Sequence, residues 1–107
     1  MAGIVECRTY MLRPGTVDRF LDLYQRKGFP VQRKHLGDPV GYYYTEIGPL
    51  NQVVHMWAYA SFEERTRKRK NLMDDPAWGA YLQEAAKDDA LVTQETKIFL
   101  RAPFFNP

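Results

Sequence analysis

Cysteine and histidine are scarce in this sequence: Cys7 stands alone, and His35 and His55 are the only histidines among 107 residues. A single cysteine excludes an internal disulfide and a cysteine-rich metal site, and it fits a reducing, cytoplasmic setting. The two histidines lie far apart in sequence, so no metal site and no cofactor are expected. Gly41 and Gly48 stand alone rather than in a phosphate-cradling loop. No apolar run approaches the roughly 20 residues of a membrane span. A strand pattern that begins by Ile4 leaves no room for a cleavable secretory signal. The net charge of +2 is too small to imply nucleic acid. The one basic run, Arg65 and Arg67 to Lys70, sits beside Glu63 and Glu64 and reads as a solvated helix face. No linker-like stretch or internal repeat divides the chain, so residues 1–107 are read as one domain.

What is present is ordinary globular material, 45% hydrophobic and 26% charged. From Ile4 to Leu12 side chains alternate as in a strand, ended by Pro14 and Gly15. Val17, Phe20, Leu21 and Tyr24 then recur at helical spacing, with a stop expected at Gly28. A short second helical piece over Val31–Leu36 has Pro30 near its first turn and Gly37 just past its end. Val40 to Ile47, rich in tyrosine and β-branched residues, predicts a second strand, and a tight reversal sends Gln52–Tyr59 back antiparallel to it. Ser61 with Glu64 forms a capping box for a helix to about Met73. Asp75-Pro76 opens another, with Trp78, Tyr81, Leu82 and Ala85 as its apolar stripe. Leu91 to Leu100 alternates as a final strand.

The order β-α-β-β-α-β predicts a ferredoxin-like α+β fold, one antiparallel sheet with helices on one face only. The mostly apolar set Val5, Cys7, Thr9, Met11, Tyr43, Val54, Met56, Ala58, Ile98 and Leu100 is expected under the helices. The opposite face then carries Glu6, Arg8, Tyr10, Tyr42, Tyr44, Glu46, His55, Trp57, Tyr59, Glu95, Lys97 and Phe99. So much aromatic area on an open face calls for a cover, and a second copy of the chain supplies it, making a dimeric α+β barrel. Tyr42 and Tyr44 fall on that expected interface, and Phe104 and Phe105 beyond the last strand are expected to pack against the partner.

The blocks "VECRTYMLRPG", "GYYYTEIGPLNQVVHMWAYASFEER", "DDPAW" and "RAPFFNP", in that order over almost the whole chain, resemble the NIPSNAP family. That resemblance implies a dimeric α+β barrel and no settled reaction. The same architecture is shared by cofactor-free antibiotic-biosynthesis monooxygenases and by small decarboxylases and isomerases, an analogy of fold.

Arg8, Tyr10, Glu46, His55, Trp57 and Tyr59 are the candidate ligand-binding residues. His55 held by Glu46 could act as a general base, Arg8 could stabilise an enolate-like anion, and Trp57 could stack on an aromatic ring. The competing reading makes the same residues a buried polar network, with Arg8 paired to Glu6 or Glu46. Small side chains at Cys7, Thr9, Thr45 and Ala58 could leave a cavity between sheet and helices, unless Phe20, Tyr24, Trp78 and Tyr81 fill it. Three functions stay open: a small-molecule-binding homodimer, a cofactor-independent monooxygenase or isomerase, and a protein-interaction module.

Overall fold

The computed structural model describes residues 3–105. Strands β1 (Ile4–Leu12), β2 (Gly41–Tyr44), β3 (Gln52–Tyr59) and β4 (Leu91–Leu100) form one antiparallel sheet in the order β2-β3-β1-β4. Helices α1 (Val17–Leu23) and α2 (Phe29–Leu36) connect β1 to β2, and α3 (Phe62–Asp74) and α4 (Pro76–Asp88) connect β3 to β4. This is the ferredoxin-like α+β arrangement, two interleaved β-α-β units with the longest-paired strands, β1 and β3, at the centre.

The helix signals act as their chemistry requires. Ser61 Oγ accepts from the Glu64 N–H at 3.1 Å, while the Glu64 carboxylate reaches back to the Ala60 N–H. Asp75 Oδ1 accepts from the Ala77 N–H at 2.9 Å, with Pro76 at the first helical position. Gly37, at φ 85°, ends α2.

Gly28 does not stop the first helix. A π-helical turn over Tyr24–Gly28 joins α1 to α2, and the Phe29 N–H donates to the Tyr24 carbonyl. Gly28 itself is helical, at φ −92° and ψ −51°. Its glycine identity answers to space: a Cβ there would lie 2.7 Å from Tyr24 Cδ1 and 2.9 Å from Tyr81 Cζ. β2 is also shorter than expected, since pairing ends at Tyr44 and a wide turn through Gly48 (φ 121°) and Asn51 (φ 68°) follows.

The expected assignment of sheet faces is reversed for β1, β2 and β3. Helices cover Ile4, Glu6, Leu12, Val53, His55, Trp57 and Tyr59, all buried, while Cys7, Thr9, Val54, Met56 and Ala58 lie on the open side. Period-2 alternation defines two faces but does not say which is inside. The carboxylate of Glu6 is held by Arg65 and Arg8, and Trp57 and Tyr59 add the bulk that a core needs. With Ile4, Leu23, Tyr24, Leu36, Leu72, Trp78 and Tyr81 they build one cluster; Leu12, Val53 and Ala90 build a smaller one.

For β4 the expected split holds: Ile98 and Leu100 stand opposite Glu6 and Ile4, and Glu95, Lys97 and Phe99 opposite Thr9, Cys7 and Val5. All ten of its residues are nonetheless exposed.

Candidate functional site

Two adjoining sets of side chains occupy the helix-covered face. In the first, Glu6 is fully buried. Arg65 of α3 grips its carboxylate with both arms, Nε to Oε1 at 2.9 Å and Nη2 to Oε2 at 3.0 Å, and Arg8 Nη1 donates to Oε2 at 3.0 Å. Arg8 Nε also donates to the Tyr10 hydroxyl at 3.2 Å. Burial alone would push the Glu6 carboxyl up; the Arg65 hydrogen bonds and the charges of Arg65 and Arg8 outweigh it and hold the group below its ordinary value.

In the second set, the Trp57 indole Nε1–H donates to His55 Nδ1 at 2.7 Å. An indole nitrogen only donates, so Nδ1 is bare and the neutral imidazole carries its proton on Nε2. That Nε2 is buried and has no partner among the described residues. Burial, with the Arg8 charge adding to it, drives the His55 pKa down to about 3. The ring is a neutral hydrogen-bond donor at ordinary pH and a poor general base.

Tyr42 stacks on His55 (centroids 4.7 Å apart, planes 17° apart), and Tyr24 stacks on Tyr42 (4.8 Å, 23°). The Tyr24 hydroxyl donates to Gln32 Oε1 at 2.5 Å. Beside these rings, between sheet and helices, lies a cavity of about 230 Å³. Its walls are Tyr10, Phe20, Tyr24, Gln32, Tyr42, His55, Trp78, Tyr81, Leu82, Ala85, Ala90, Leu91 and Gln94. The exposed members, Leu82, Leu91 and Gln94, mark its mouth. The Trp78 Nε1–H is a second buried donor without a partner among the described residues.

The candidate residues are thus only partly gathered. Tyr10 and His55 line the cavity; Arg8 and Trp57 stand behind them, Arg8 on Tyr10 and Trp57 on His55. Tyr59 is buried, its hydroxyl without a partner among the described residues, and does not line the cavity. Glu46 is exposed in the turn after β2, and the carboxylate in the network is Glu6. Tyr42, expected at the open face, is held between Tyr24 and His55, whereas Tyr44 is exposed at the end of the edge strand. Phe104 and Phe105 are 90% and 58% exposed on the single chain. Cys7 is half-buried on the open face rather than under the helices, so small residues there do not create the cavity. Phe20, Tyr24, Trp78 and Tyr81 line that space without filling it.

Arg65 and Gln32 were not anticipated. Arg65 was hidden in a basic run; its signal is that it follows Ser61 by one helical turn and so returns toward the sheet. Gln32 carries no signal beyond being eight residues from Tyr24, its partner across the π-turn.

A larger hollow of about 620 Å³ lies between Ile4, the start of α3 and the tail at Leu100–Phe105. Exposed Phe62, Leu100 and Phe105 form much of it, and among the described residues no buried unpaired polar group lines it. Among the described residues no cluster of His, Cys, Asp and Glu has metal-site geometry, and no helix is long and apolar enough to cross a membrane.

The family model for NIPSNAP matches residues 5–106. The chain belongs to the NIPSNAP family. Its NIPSNAP domain is similar to a NipSnap homolog of Dictyostelium discoideum, 38% identical over 96 residues, covering 89% of this chain and 41% of that protein. It is also similar to human NipSnap homolog 3A, at 35% over 74 residues, 68% of this chain and 29% of that one. The chain therefore spans well under half the length of these relatives. Among solved structures, a NIPSNAP-like domain protein from Burkholderia xenovorans is 43% identical with a TM-score of 0.90, covering 98% of this chain and 90% of that one. A putative antibiotic biosynthesis monooxygenase from Bacteriodes thetaiotaomicron shares the fold alone, at 14% identity and a TM-score of 0.64 over 96% and 90% of the two chains.

Proposed function

We propose that this NIPSNAP domain is a small-molecule-binding homodimer whose ligand occupies the cavity bordered by His55. The observation that carries this reading is the His55 ring itself: it lines a space large enough for a small molecule, and its Nε2–H is buried without an acceptor among the described residues, at a cost of about 1–3 kcal/mol. A ligand oxygen supplies the missing acceptor. The homodimer forms through the open sheet face, where Val5, Cys7, Met11, Val54 and Met56 make a low, apolar surface that a second sheet can cover.

Binding is favoured over the alternative of a cofactor-independent monooxygenase or isomerase, because proton abstraction needs a base in the cavity. His55 is held neutral with its proton on the unpaired nitrogen, and none of the lining side chains is a carboxylate. A protein-interaction module would use the same open face for a different partner.

Native mass spectrometry of the purified protein, followed by denaturing extraction, tests the reading. A dimer carrying a stoichiometric small-molecule adduct is the expected result. A bare monomer, together with no stabilisation by any member of a broad small-molecule library, would overturn it.

A further inference from the structure

The cavity wall also restricts what can bind. No lining side chain is charged, and two of the lining residues, His55 and Trp78, each carry a buried N–H donor with no partner among the described residues. Trp78 Nε1 can only donate, and His55 Nε2 is committed to donating by the Trp57 indole on its other nitrogen. The wall hydroxyls point the same way: burial raises the pKa of the Tyr42 and Tyr81 phenols, so both keep their protons. Arg8, the nearby cation, is already committed to Glu6 and Tyr10 and does not line the space. A carboxylate ligand would lose its hydration and gain no counter-charge. Aromatic rings dominate the remaining wall and favour a flat partner.

Resting on the proposed cavity binding, we infer that the ligand class is an uncharged, flat molecule bearing an acceptor oxygen, such as an aryl ketone, a lactone or a quinone. It is not an acid. The donors then act together to anchor the oxygen, and the rings select the shape.

Three bicyclic probes of similar size separate this inference from the reading beneath it: 1-tetralone, which is neutral with a carbonyl; tetralin, which has no acceptor; and 2-naphthoate, an anion. Binding is measured by ligand-observed NMR titration of the full chain. Tetralone should bind roughly tenfold more tightly than tetralin, about one hydrogen bond's worth, and naphthoate should be weakest. Trp78→Phe keeps a ring and removes one donor, so it should weaken tetralone severalfold and leave tetralin unchanged. The His55 Nε2–H resonance of 15N-labelled wild-type protein should move with tetralone, a readout that needs no variant to fold. Equal binding of tetralone and tetralin, or tightest binding of naphthoate, would overturn the ligand class while leaving cavity binding in place. Failure of all three to bind or to shift any cavity resonance would overturn both.

Discussion

Trp57 fixes the proton of its neighbour His55: with the indole N–H on Nδ1 at 2.7 Å, the imidazole can hold hydrogen only at Nε2. The ring is buried, and its pKa lies near 3. In the unfolded chain it returns to an ordinary value near 6.5. Between those values the unfolded state binds a proton that the folded state refuses, so stability is full above about pH 6.5 and falls as the pH drops toward 3. The slope from this one group approaches about 1.4 kcal/mol per pH unit. Urea titrations from pH 7 to pH 4 should show that loss, and the His55 ring resonances should not titrate in the folded protein. A His55 midpoint near 6.5 in the folded protein would contradict the burial argument.

Glu6 ties α3 to the sheet through Arg65, with Arg8 on its second oxygen. Glu6→Gln would leave two guanidinium groups adjacent without a counter-charge. Breaking a buried pair costs about 3–5 kcal/mol; Arg65 is partly exposed, so a loss near the lower end is expected, read as a fall in urea midpoint with unchanged slope. A change below 0.5 kcal/mol would mean that water screens the pair as it does a surface bridge.

Much of this fold was legible in the sequence, and the reasons are local. Ile4–Leu12, Gln52–Tyr59 and Leu91–Leu100 alternate cleanly, and Ser61, Asp75 and Gly37 mark helix ends by their own hydrogen-bonding or φ preference. The inside of the sheet was not legible, because Glu6 and Arg8 look like surface residues until Arg65, 59 residues from Glu6, arrives to pair with the acid. The candidate site suffered the same loss. His55 and Tyr10 stood out as chemical groups, but their surroundings come from Phe20, Gln32, Trp78 and Tyr81 on helices whose apolar stripes look like ordinary core.

Gly28 matters for steric reasons rather than as a helix stop. Gly28→Ala places a methyl against Tyr24 and Tyr81, both cavity walls, and should destabilise by about 1–3 kcal/mol. Any ligand affinity should fall with it, since the rings can yield only into the cavity or the core. A variant with wild-type melting temperature would show that the two tyrosines move aside freely.

Val54 lies on the open face at the middle of β3, opposite Thr9 and Tyr43. Val54→Glu leaves the helix-side core untouched, so the circular dichroism of the folded chain should persist. If the proposed homodimer uses this face, sedimentation velocity should show a monomer for the variant and a dimer for the wild type. A dimer in both would move the interface elsewhere.

The uncovered last strand has a consequence for exchange with solvent. β4 is paired on one side only, to β1, and all ten of its residues are exposed. Successive peptide N–H groups of a strand point to opposite edges. In deuterated water, amides along Leu91–Leu100 should therefore divide by parity, one set trading hydrogen within the dead time and the other persisting for as long as β1 holds its place. Uniform slow exchange along the strand would report that another strand has annexed the free edge, and it would do so before any assembly is isolated.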